Sequence, residues 1–452
     1  MKKSFVAKPK LELLKKMMQK NPTFRGAEPT WANACVGNNG HPSYIEYSIG
    51  FSKAANILID QVLENGSIDL HVDEFVYPVC FNMRHSVELR LKGAIDEIIE
   101  IAKIKNTIMH FDSSSSHDIN LIWRFFQAQS EAIDSRYAII NSKIEPTILD
   151  IAQVDPTGQT FRYPVSNTSQ KHLTGVALIN FVVLKKKFNE LEKNLDALHE
   201  LNSWLRTEYW QGTFTSKLSR QQIFKIASQL PRMDTWRDPV FTVIKEQIKA
   251  EYNLGNRDFS KAIDIVKCHY SLAPMVGDPL PIRGVREEQL LFFICEWVKA
   301  SRTEEKDSER EHKEFGFDHG SVLKRIRSRA NKHQDVWSDF SGHVSAEYLA
   351  GIEALFYFSK NKVFVEYYDA IYGGKLREAN IALKVKDDLR DDFMHVFTKT
   401  NVLDSILISL YALGHVNLVE NIIEKYDLER SLRWLGDART GHFFSYPDFA
   451  GY

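Results

Sequence analysis

The sequence predicts an all-α protein, and three observations lead to that prediction. Apolar residues recur along nearly the whole chain at spacings of three and four, which is the period of an α-helix. Convincing runs of the strict alternation that marks a half-buried strand are absent from the sequence. Glycine and proline fall mainly between the periodic segments, where turns are expected.

Composition places the chain among ordinary globular proteins. Its 452 residues are 44% hydrophobic and 26% charged, with a net charge of −1. A chain of this length normally forms two or three domains of ~150 residues each. The balanced charge provides no global attraction to nucleic acid or to an anionic membrane, so a nucleic-acid site has to be regional.

The cysteines and the N-terminus indicate a cytoplasmic protein. Cys35, Cys80, Cys268 and Cys295 show neither a C-x-x-C pair nor metal-ligand spacing, so we interpret them as packing thiols in a reducing compartment. Residues 1–42 form a basic extension without the apolar stretch of a secretory signal, and no run approaches the ~18 apolar residues of a membrane span. Apolar spacing within residues 11–18 predicts a short amphipathic helix that lies on the body or on a partner.

Residues 43–205 are predicted to form one helical bundle. The first helix begins near Tyr44 and stops at Gly66. A second covers residues 81–103, and a third follows the serine run at 113–116. Residues 151–169, which contain several breakers, read as a long connection before a final helix at 174–205. Four principal helices suffice for a bundle.

Residues 206–300 form a predicted middle region of shorter helices. Ser219 is a plausible N-cap and Pro231 a stop for the first of them. Two more helices are expected to meet at residues 254–258. The breaker-rich stretch 273–288 is the clearest candidate for a boundary.

Residues 301–452 are predicted to continue as a helical-hairpin or α-solenoid-like region. The mixed-charge run 301–316 is typical of a solvated, mobile face. Aromatic residues crowd into 354–368 at helical intervals, which indicates a packed core rather than a base-stacking surface. The aromatic segment 442–452 either docks on the body or binds a partner, and docking is the preferred interpretation.

The helix at 81–103 carries four polar side chains close together. A helical wheel places Arg84 and Glu88 inside the apolar arc, and His85 and Lys92 on its border. Arg84 and Glu88 are spaced i, i+4 and should meet as a buried or half-buried pair, because an unpaired charge there would be costly. The pair either aligns the helices of the bundle or belongs to a polar pocket for a phosphate or a base, and the sequence leaves these alternatives nearly even.

Three short motifs give this region a resemblance to a known family. The matching residues, in chain order, are Glu88, Leu89, Leu91 and Lys92, then His117 and Asp118, then Arg162, Tyr163 and Pro164. Their order and spacing resemble the HEPN superfamily of helical bundles over roughly residues 43–205. The polar residues of the helix and two residues of the later motifs together make the candidate ligand-binding site, which consists of Arg84, His85, Glu88, Lys92, His117 and Arg162.

The resemblance also implies classes of function. HEPN proteins are metal-independent RNases, common in bacterial toxin and anti-phage defence systems, or non-catalytic relatives that bind nucleotides or mediate partner contacts. The RNase branch uses an Arg-x(4–6)-His motif on its late helix, and here no arginine stands at that spacing before His199. The spacing occurs in Arg390 and His395 and in Arg327 and His333. Chance spacings of this kind are expected in a chain with 15 histidines, so a structural or surface role is the preferred interpretation of each pair. If one pair is catalytic, the candidate is Arg390 and His395, because its context is clearly helical.

Other chemistries lack their motifs. The sequence contains no phosphate-binding glycine loop, no zinc-protease or hydrolase signature, and no histidine cluster at metal-ligand spacing, so it predicts no cofactor and no metal. The leading hypothesis is a bacterial defence or toxin-type protein that recognises RNA or a nucleotide, with metal-independent RNase activity as its candidate reaction. The alternative is a non-enzymatic interaction or regulatory protein that forms oligomers or holds a protein partner.

Overall fold

A computed structural model describes residues 21–37, 39–40, 42–65, 70–166, 169–314, 336–386 and 388–452. The predicted amphipathic helix within residues 11–18 and the pair Arg327 and His333 lie outside these ranges. Side chains of residues 302–314 are also outside the description, so the predicted face of the mixed-charge run stays a prediction.

The described residues confirm the all-α prediction. They contain no β-strand, and their one β contact is an isolated antiparallel bridge between Val165 and Lys171. The first five helices are α1 (Tyr44–Asn65), α2 (Val72–Ile104), α3 (Ile119–Ile133), α4 (Tyr137–Val154) and α5 (Phe181–Trp210). The next five are α6 (Arg220–Gln229), α7 (Pro239–Glu251), α8 (Asn256–Cys268), α9 (Ala273–Val276) and α10 (Glu287–Glu314). The last six are α11 (Ala346–Phe358), α12 (Tyr367–Lys386), α13 (Arg390–Phe397), α14 (Val402–Ala412), α15 (Val416–Tyr426) and α16 (Leu435–Arg439).

The chain forms two compact units. The first unit takes its described residues from positions up to Asp96, from Phe111–Gln129 and from Ile139–Ala197. The second takes them from Glu97–His110, Ser130–Ala138 and Leu198–Tyr452. The domain boundaries expected at residues 42, 205 and 300 stay predictions.

Close backbone packing and side-chain hydrogen bonds hold the first unit together. A Cβ atom on Gly93 of α2 would lie 2.6 Å from Cδ1 of Ile45 of α1, so a larger residue at this position would force the side chain of Ile45 to shift. Asn56 of α1 donates from Nδ2 to Oε2 of Glu192 of α5 over 3.0 Å. On α3, Trp123 is completely buried. These contacts make the first unit a packed helical bundle with α2 as a central element.

Two elements of this bundle differ from the prediction. Helix α4 (Tyr137–Val154) was not predicted, because Pro146 lies inside it and the segment before the expected connection has weak helical signals. Helix α5 begins at Phe181 and not near residue 174. Asn180 caps the start of the helix, since its Oδ1 accepts hydrogen bonds from the backbone N–H groups of Val182 and Val183. Residues 174–180 are therefore a loop.

The second unit confirms the predicted short helices of the middle region. Ser219 caps α6 and forms a capping box with Gln222. Helices α7 and α8 meet at residues 252–255, next to the predicted joint. The breaker-rich stretch is packed rather than loose, because a Cβ atom on Gly284 would lie 2.1 Å from the backbone oxygen of Glu347 on α11.

The aromatic residues of the C-terminal region form core, as predicted. Phe358 and Tyr368 are completely buried, and their rings meet edge to face at a centroid distance of 5.7 Å. The final segment docks on the second unit. Tyr446 donates from its hydroxyl to the backbone oxygen of Val363 over 3.2 Å, and Tyr452 donates to Oε2 of Glu208 over 3.0 Å.

The cysteines only partly match their interpretation as packing thiols. Cys80 is buried. Its burial, and to a smaller extent the negative charge of the nearby Asp155, raises the pKa of its thiol to about 12. Cys35 and Cys268 are exposed, so packing does not explain them. Both lie at element ends or loops, where periodicity does not determine which way a side chain faces.

Candidate functional site

Helix α2 brings two charges into the interior of the first unit. Arg84 and Glu88 are each only 3% exposed, and they form the predicted i, i+4 ion pair through Nη1 and Oε2. The apolar residues on the same face, among them Val87 and Leu91, are completely buried. The helical wheel therefore placed this pair correctly, because an amphipathic helix buries whatever lies within its apolar arc.

Arg84 uses most of its hydrogen-bonding capacity within the protein. Its Nε donates to the backbone oxygen of Asp155 over 3.2 Å. Its Nη2 donates to the backbone oxygens of His117 over 2.6 Å and of Pro156 over 2.8 Å. With the bond to Glu88, four of the five N–H groups of the guanidinium have acceptors. Arg84 therefore ties two loops to α2.

The loop at residues 155–158 is shaped to receive Arg84. Gly158 has φ of +76°, a conformation that side-chain-bearing residues rarely adopt. A Cβ atom on Gly158 would also lie 3.1 Å from Nη1 of Arg84. From the sequence this glycine is recognisable only as a breaker, because a pattern of breakers does not show what the loop will contact.

Glu88 joins the two other polar groups of the cluster. Its Oε1 accepts from Nζ of Lys92 over 2.8 Å and lies 3.0 Å from Nδ1 of His117. Burial on its own raises the pKa of the Glu88 carboxyl, but the hydrogen bond from Lys92, the charge of Arg84 and the hydrogen bond from His117 outweigh burial and lower it. Glu88 is thus a carboxylate at neutral pH although it is buried.

Lys92 and His85 differ in their positions although the wheel put both on the border of the apolar arc. Lys92 is buried, with only 3% exposure, because its ammonium reaches Glu88 one turn back. His85 is half-buried, stacked on the ring of Phe81 at 5.6 Å and edge-on to Phe51 at 4.5 Å. Burial lowers the pKa of His85; the charge of Glu88 opposes this and that of Arg84 adds to it. His85 is therefore neutral at neutral pH.

The three sequence motifs meet at one cavity of about 480 Å³. Arg162 lies over two rings, with its Cζ 5.6 Å from the centroid of Phe81 and 5.2 Å from that of Tyr163. The side chain of His117 is 60% exposed at this cavity. The cavity is lined by Phe81, Arg84, His85, Glu88, His117, Thr157, Gly158, Gln159, Arg162, Tyr163, Pro164 and Val165. Five of the six predicted ligand-binding residues thus line it, and Lys92 contacts Glu88.

Sequence reasoning missed part of the lining. Phe81, Thr157 and Gln159 belong to the cavity but carried no motif signal. Thr157 and Gln159 could not be recognised from the sequence, because they line the cavity only as a result of the loop conformation that the hydrogen bonds of Arg84 stabilise. An expectation that the loop before the third motif must approach α2 would have found them.

A second cavity of about 360 Å³ lies in the first unit; Arg84 lines it, but none of the residues of the three motifs does. Its lining is mostly apolar and includes Met83, Ile151, Leu178 and Phe188. The residue at position 178 is 93% exposed, so the cavity has an apolar rim. Two cationic residues, Arg84 and Lys187, are among the residues that line it.

The predicted catalytic pair lies in the second unit, on the short helix α13 (Arg390–Phe397). His395 is exposed and Arg390 is partly buried. Residues five positions apart on a helix point ~140° away from one another, so the two side chains start from different faces. Their assignment as a catalytic pair stays a prediction.

Comparisons of the chain with protein-family models, with curated proteins and with solved structures find no match. In the part of the chain that the structure describes, no group of three or more histidine, cysteine or acidic residues is placed to hold a metal ion. Within the same residues, none of the helices has both the length and the apolar character needed to cross a membrane.

Proposed function

We propose that the polar cavity of the first unit recognises the phosphate group of RNA or of a nucleotide, and that the protein acts in a bacterial defence or toxin-type system. The observation that carries the proposal is the convergence of three motifs, separated by up to 74 positions from Glu88 to Arg162, on one cavity. The biological setting is taken from the family resemblance. The proposal also includes an HEPN-like bundle at residues 43–205 and a solenoid-like arrangement of the C-terminal helices.

The charge distribution supports an anionic ligand. Arg84 and Lys92 both contact Glu88, so one of these two cations is balanced within the cluster and the cluster has an excess of positive charge. Arg162 adds a further cation at the exposed side of the cavity. Guanidinium groups match phosphate oxygens well because they present paired N–H donors in one plane.

Size and aromatic content support a nucleotide unit. Ligand pockets of proteins are commonly ~300–1,000 Å³, and the cavity of about 480 Å³ falls within that range. Phe81 and Tyr163 flank Arg162, so a base can stack against a ring or a guanidinium plane while the phosphate contacts the cation.

A binding titration tests this proposal. Fluorescence anisotropy with a labelled single-stranded RNA, and calorimetry with adenosine 5′-monophosphate, should both show binding by the wild type. Arg162→Ala should weaken binding at least tenfold because it removes the exposed cation, whereas Arg124→Ala removes an exposed arginine that pairs with Glu145 away from the cavity and should change little. Equal loss in both variants, or no binding by the wild type, contradicts the proposal.

A non-enzymatic interaction protein is the second candidate, and exposed apolar residues on α7 favour it. Val240 and Val243 are 65% and 57% exposed and lie three positions apart, so they share one face of the helix. Adjacent exposed apolar residues mark partner surfaces more often than isolated ones do.

The mass of the protein in solution tests the second candidate. If α7 pairs with another copy or a partner, Val243→Lys should lower the mass measured by light scattering. Val36→Lys changes another exposed valine, 76% exposed, in a loop and serves as the control. A monomeric wild type whose mass neither substitution alters counts against self-association through this face.

A further inference from the structure

The apolar cavity of the first unit is too large to be a packing defect. Side chains from α2, α4, the loop at 174–180 and the start of α5 line its volume of about 360 Å³. Protein interiors are closely packed, and few of their voids exceed the size of one water molecule. Ligand pockets of proteins are commonly ~300–1,000 Å³. The apolar cavity therefore has the size of a ligand site.

The wall of the apolar cavity offers few polar contacts to a ligand. Met83, Ile151 and Phe188 are typical of its lining. Cys80 adds a neutral thiol, because burial raises its pKa to about 12. Arg84 also lines the cavity, but four of its five N–H groups already have acceptors within the protein. The wall therefore suits a ligand whose body is apolar throughout.

The mouth of the apolar cavity combines exposed apolar side chains with a cation. Leu178 and Val183 line the cavity and are 93% and 60% exposed, so it opens to solvent between the loop and α5. Lys187 follows Val183 by one helical turn and also lines the cavity. A lysine stem can lie along an apolar surface while its ammonium stays in water. The mouth thus places a positive charge at the edge of an apolar wall.

The ammonium of Lys187 is available to a ligand. Among the described residues it forms neither an ion pair nor a hydrogen bond, whereas Lys185 on the same helix pairs with Asp60. Asp150 is the one acidic residue among the described residues that line the cavity, and it is not paired with Lys187. Lys186 adds a second exposed cation next to Lys187. The mouth therefore favours an anionic head group.

We propose that the apolar cavity binds an alkyl carboxylate, such as a fatty acid, with its chain inside the cavity and its carboxylate at Lys187. Burial of the chain provides most of the affinity, because each methylene group removed from water contributes a similar favourable amount. The ion pair at the exposed lysine adds a smaller part that depends on charge. This site is distinct from the polar cavity, since the described linings of the two cavities share only Arg84.

Calorimetry on the full chain with octanoate, decanoate and laurate, all below their micelle concentrations, tests the role of the chain. One molecule should bind per protein chain. Affinity should rise ~4-fold with each added methylene group while the cavity still has space. Affinity that does not depend on chain length overturns the proposal, as does the absence of binding by all three carboxylates.

Substitution of Lys187 tests the role of the charge. Lys187→Ala should weaken decanoate binding roughly two- to fivefold, the range of an exposed ion pair, and leave the binding of neutral decanol unchanged. Lys186→Ala is the matched control, because this neighbouring exposed lysine does not line the cavity, and it should have a smaller effect. Tighter binding of decyltrimethylammonium than of decanoate by the wild type would overturn the proposal, because the mouth would then select cations through Asp150.

Two adjacent valines locate the binding site. Val183→Trp places an indole in the cavity and should weaken laurate binding roughly tenfold or more, since the ring occupies space that the chain requires. Val182 is 64% exposed but does not line the cavity, so Val182→Trp should change the affinity less than about twofold. Both positions are exposed, so neither substitution disturbs the core.

Two outcomes of this comparison would overturn the proposal. Equal loss of affinity in the two tryptophan variants would mean that laurate binds the exposed apolar surface and not the cavity. A dimeric wild type that both tryptophan variants convert to monomers in light scattering would mean that a second copy of the chain covers the mouth. Neither outcome affects the binding of RNA or a nucleotide at the polar cavity, which is measured separately.

Discussion

At the scale of single residues, Arg84 connects helix α2 to two loops of the first unit. It joins Glu88 on its own helix to three backbone oxygens of two loops. Its presence inside an apolar arc could be predicted from the sequence because helical periodicity is a local property. Its loop partners could not, because their approach depends on how distant segments pack.

Substitution of Arg84 should destabilise the protein far more than substitution of a surface arginine. Arg84→Ala leaves the buried carboxylate of Glu88 without one of its two cations and removes a donor to the backbone oxygens of His117 and Asp155, so a loss of ~3–5 kcal/mol in the free energy of unfolding is expected. Arg124→Ala breaks an ion pair whose arginine is half exposed and should cost ~0–1 kcal/mol. Urea unfolding measures the free energy of unfolding of both variants. Similar losses would show that Arg84 contributes no more to stability than a surface arginine does.

Gly158 provides a second test at the same scale. Gly158→Ala introduces a Cβ atom at a φ of +76° and 3.1 Å from Nη1 of Arg84, so we expect ~1–3 kcal/mol of destabilisation. Gly175→Ala is the matched control, because a Cβ atom there meets nothing within 4 Å. Thermal unfolding of the two variants gives the comparison. An unchanged melting temperature for Gly158→Ala would show that the loop can move away from Arg84.

At the scale of helices, the sequence predicted elements well where start signals and periodicity agree. Ser219, with its capping box, marks α6 correctly. Helix α4 (Tyr137–Val154) was missed because Pro146 opposed the periodic pattern, and burial of Ile144 and Ile148 in the bundle overrides that local cost. A helix whose stability comes from tertiary contacts is hard to recognise from local sequence.

The cap of α6 is open to a direct test. Ser219→Ala removes the side-chain acceptor for the backbone N–H of Gln222 and should cost ~1 kcal/mol. Ser228→Ala lies near the other end of the same helix, where alanine is the better helix former, and should be neutral or slightly stabilising. Chemical unfolding distinguishes these outcomes, and an equal effect of the two substitutions would mean that the cap does not anchor α6.

At the scale of the whole molecule, mild acid should reduce stability. Burial lowers the pKa of His85, His269 and His415, while in the unfolded chain they titrate near the ordinary value of ~6.5. The unfolded state therefore binds more protons than the folded state below that pH, and the free energy of unfolding falls as the pH is lowered.

Urea unfolding at pH 7.5, 6.5 and 5.5 should show this decline. His85→Gln should make the decline shallower because one of the three groups is removed, whereas His110→Gln changes an exposed histidine and should not. The carboxyl of Glu366, whose pKa is lowered although burial opposes it, adds a further loss as the pH falls below ~4.5. A free energy of unfolding that is constant from pH 7.5 to 5.5 would contradict this expectation.

The central claim is that an anionic nucleotide binds at the polar cavity of the first unit. Its most direct test is a titration of protein carrying ¹³C-labelled histidine with adenosine 5′-monophosphate and with a short RNA, followed by NMR. His85 and His117 line the cavity, so their ring signals, assigned through His85→Asn and His117→Asn, should shift with a common dissociation constant. Shifts at other histidines, such as His395 on α13, without any at His85 and His117 would contradict the claim.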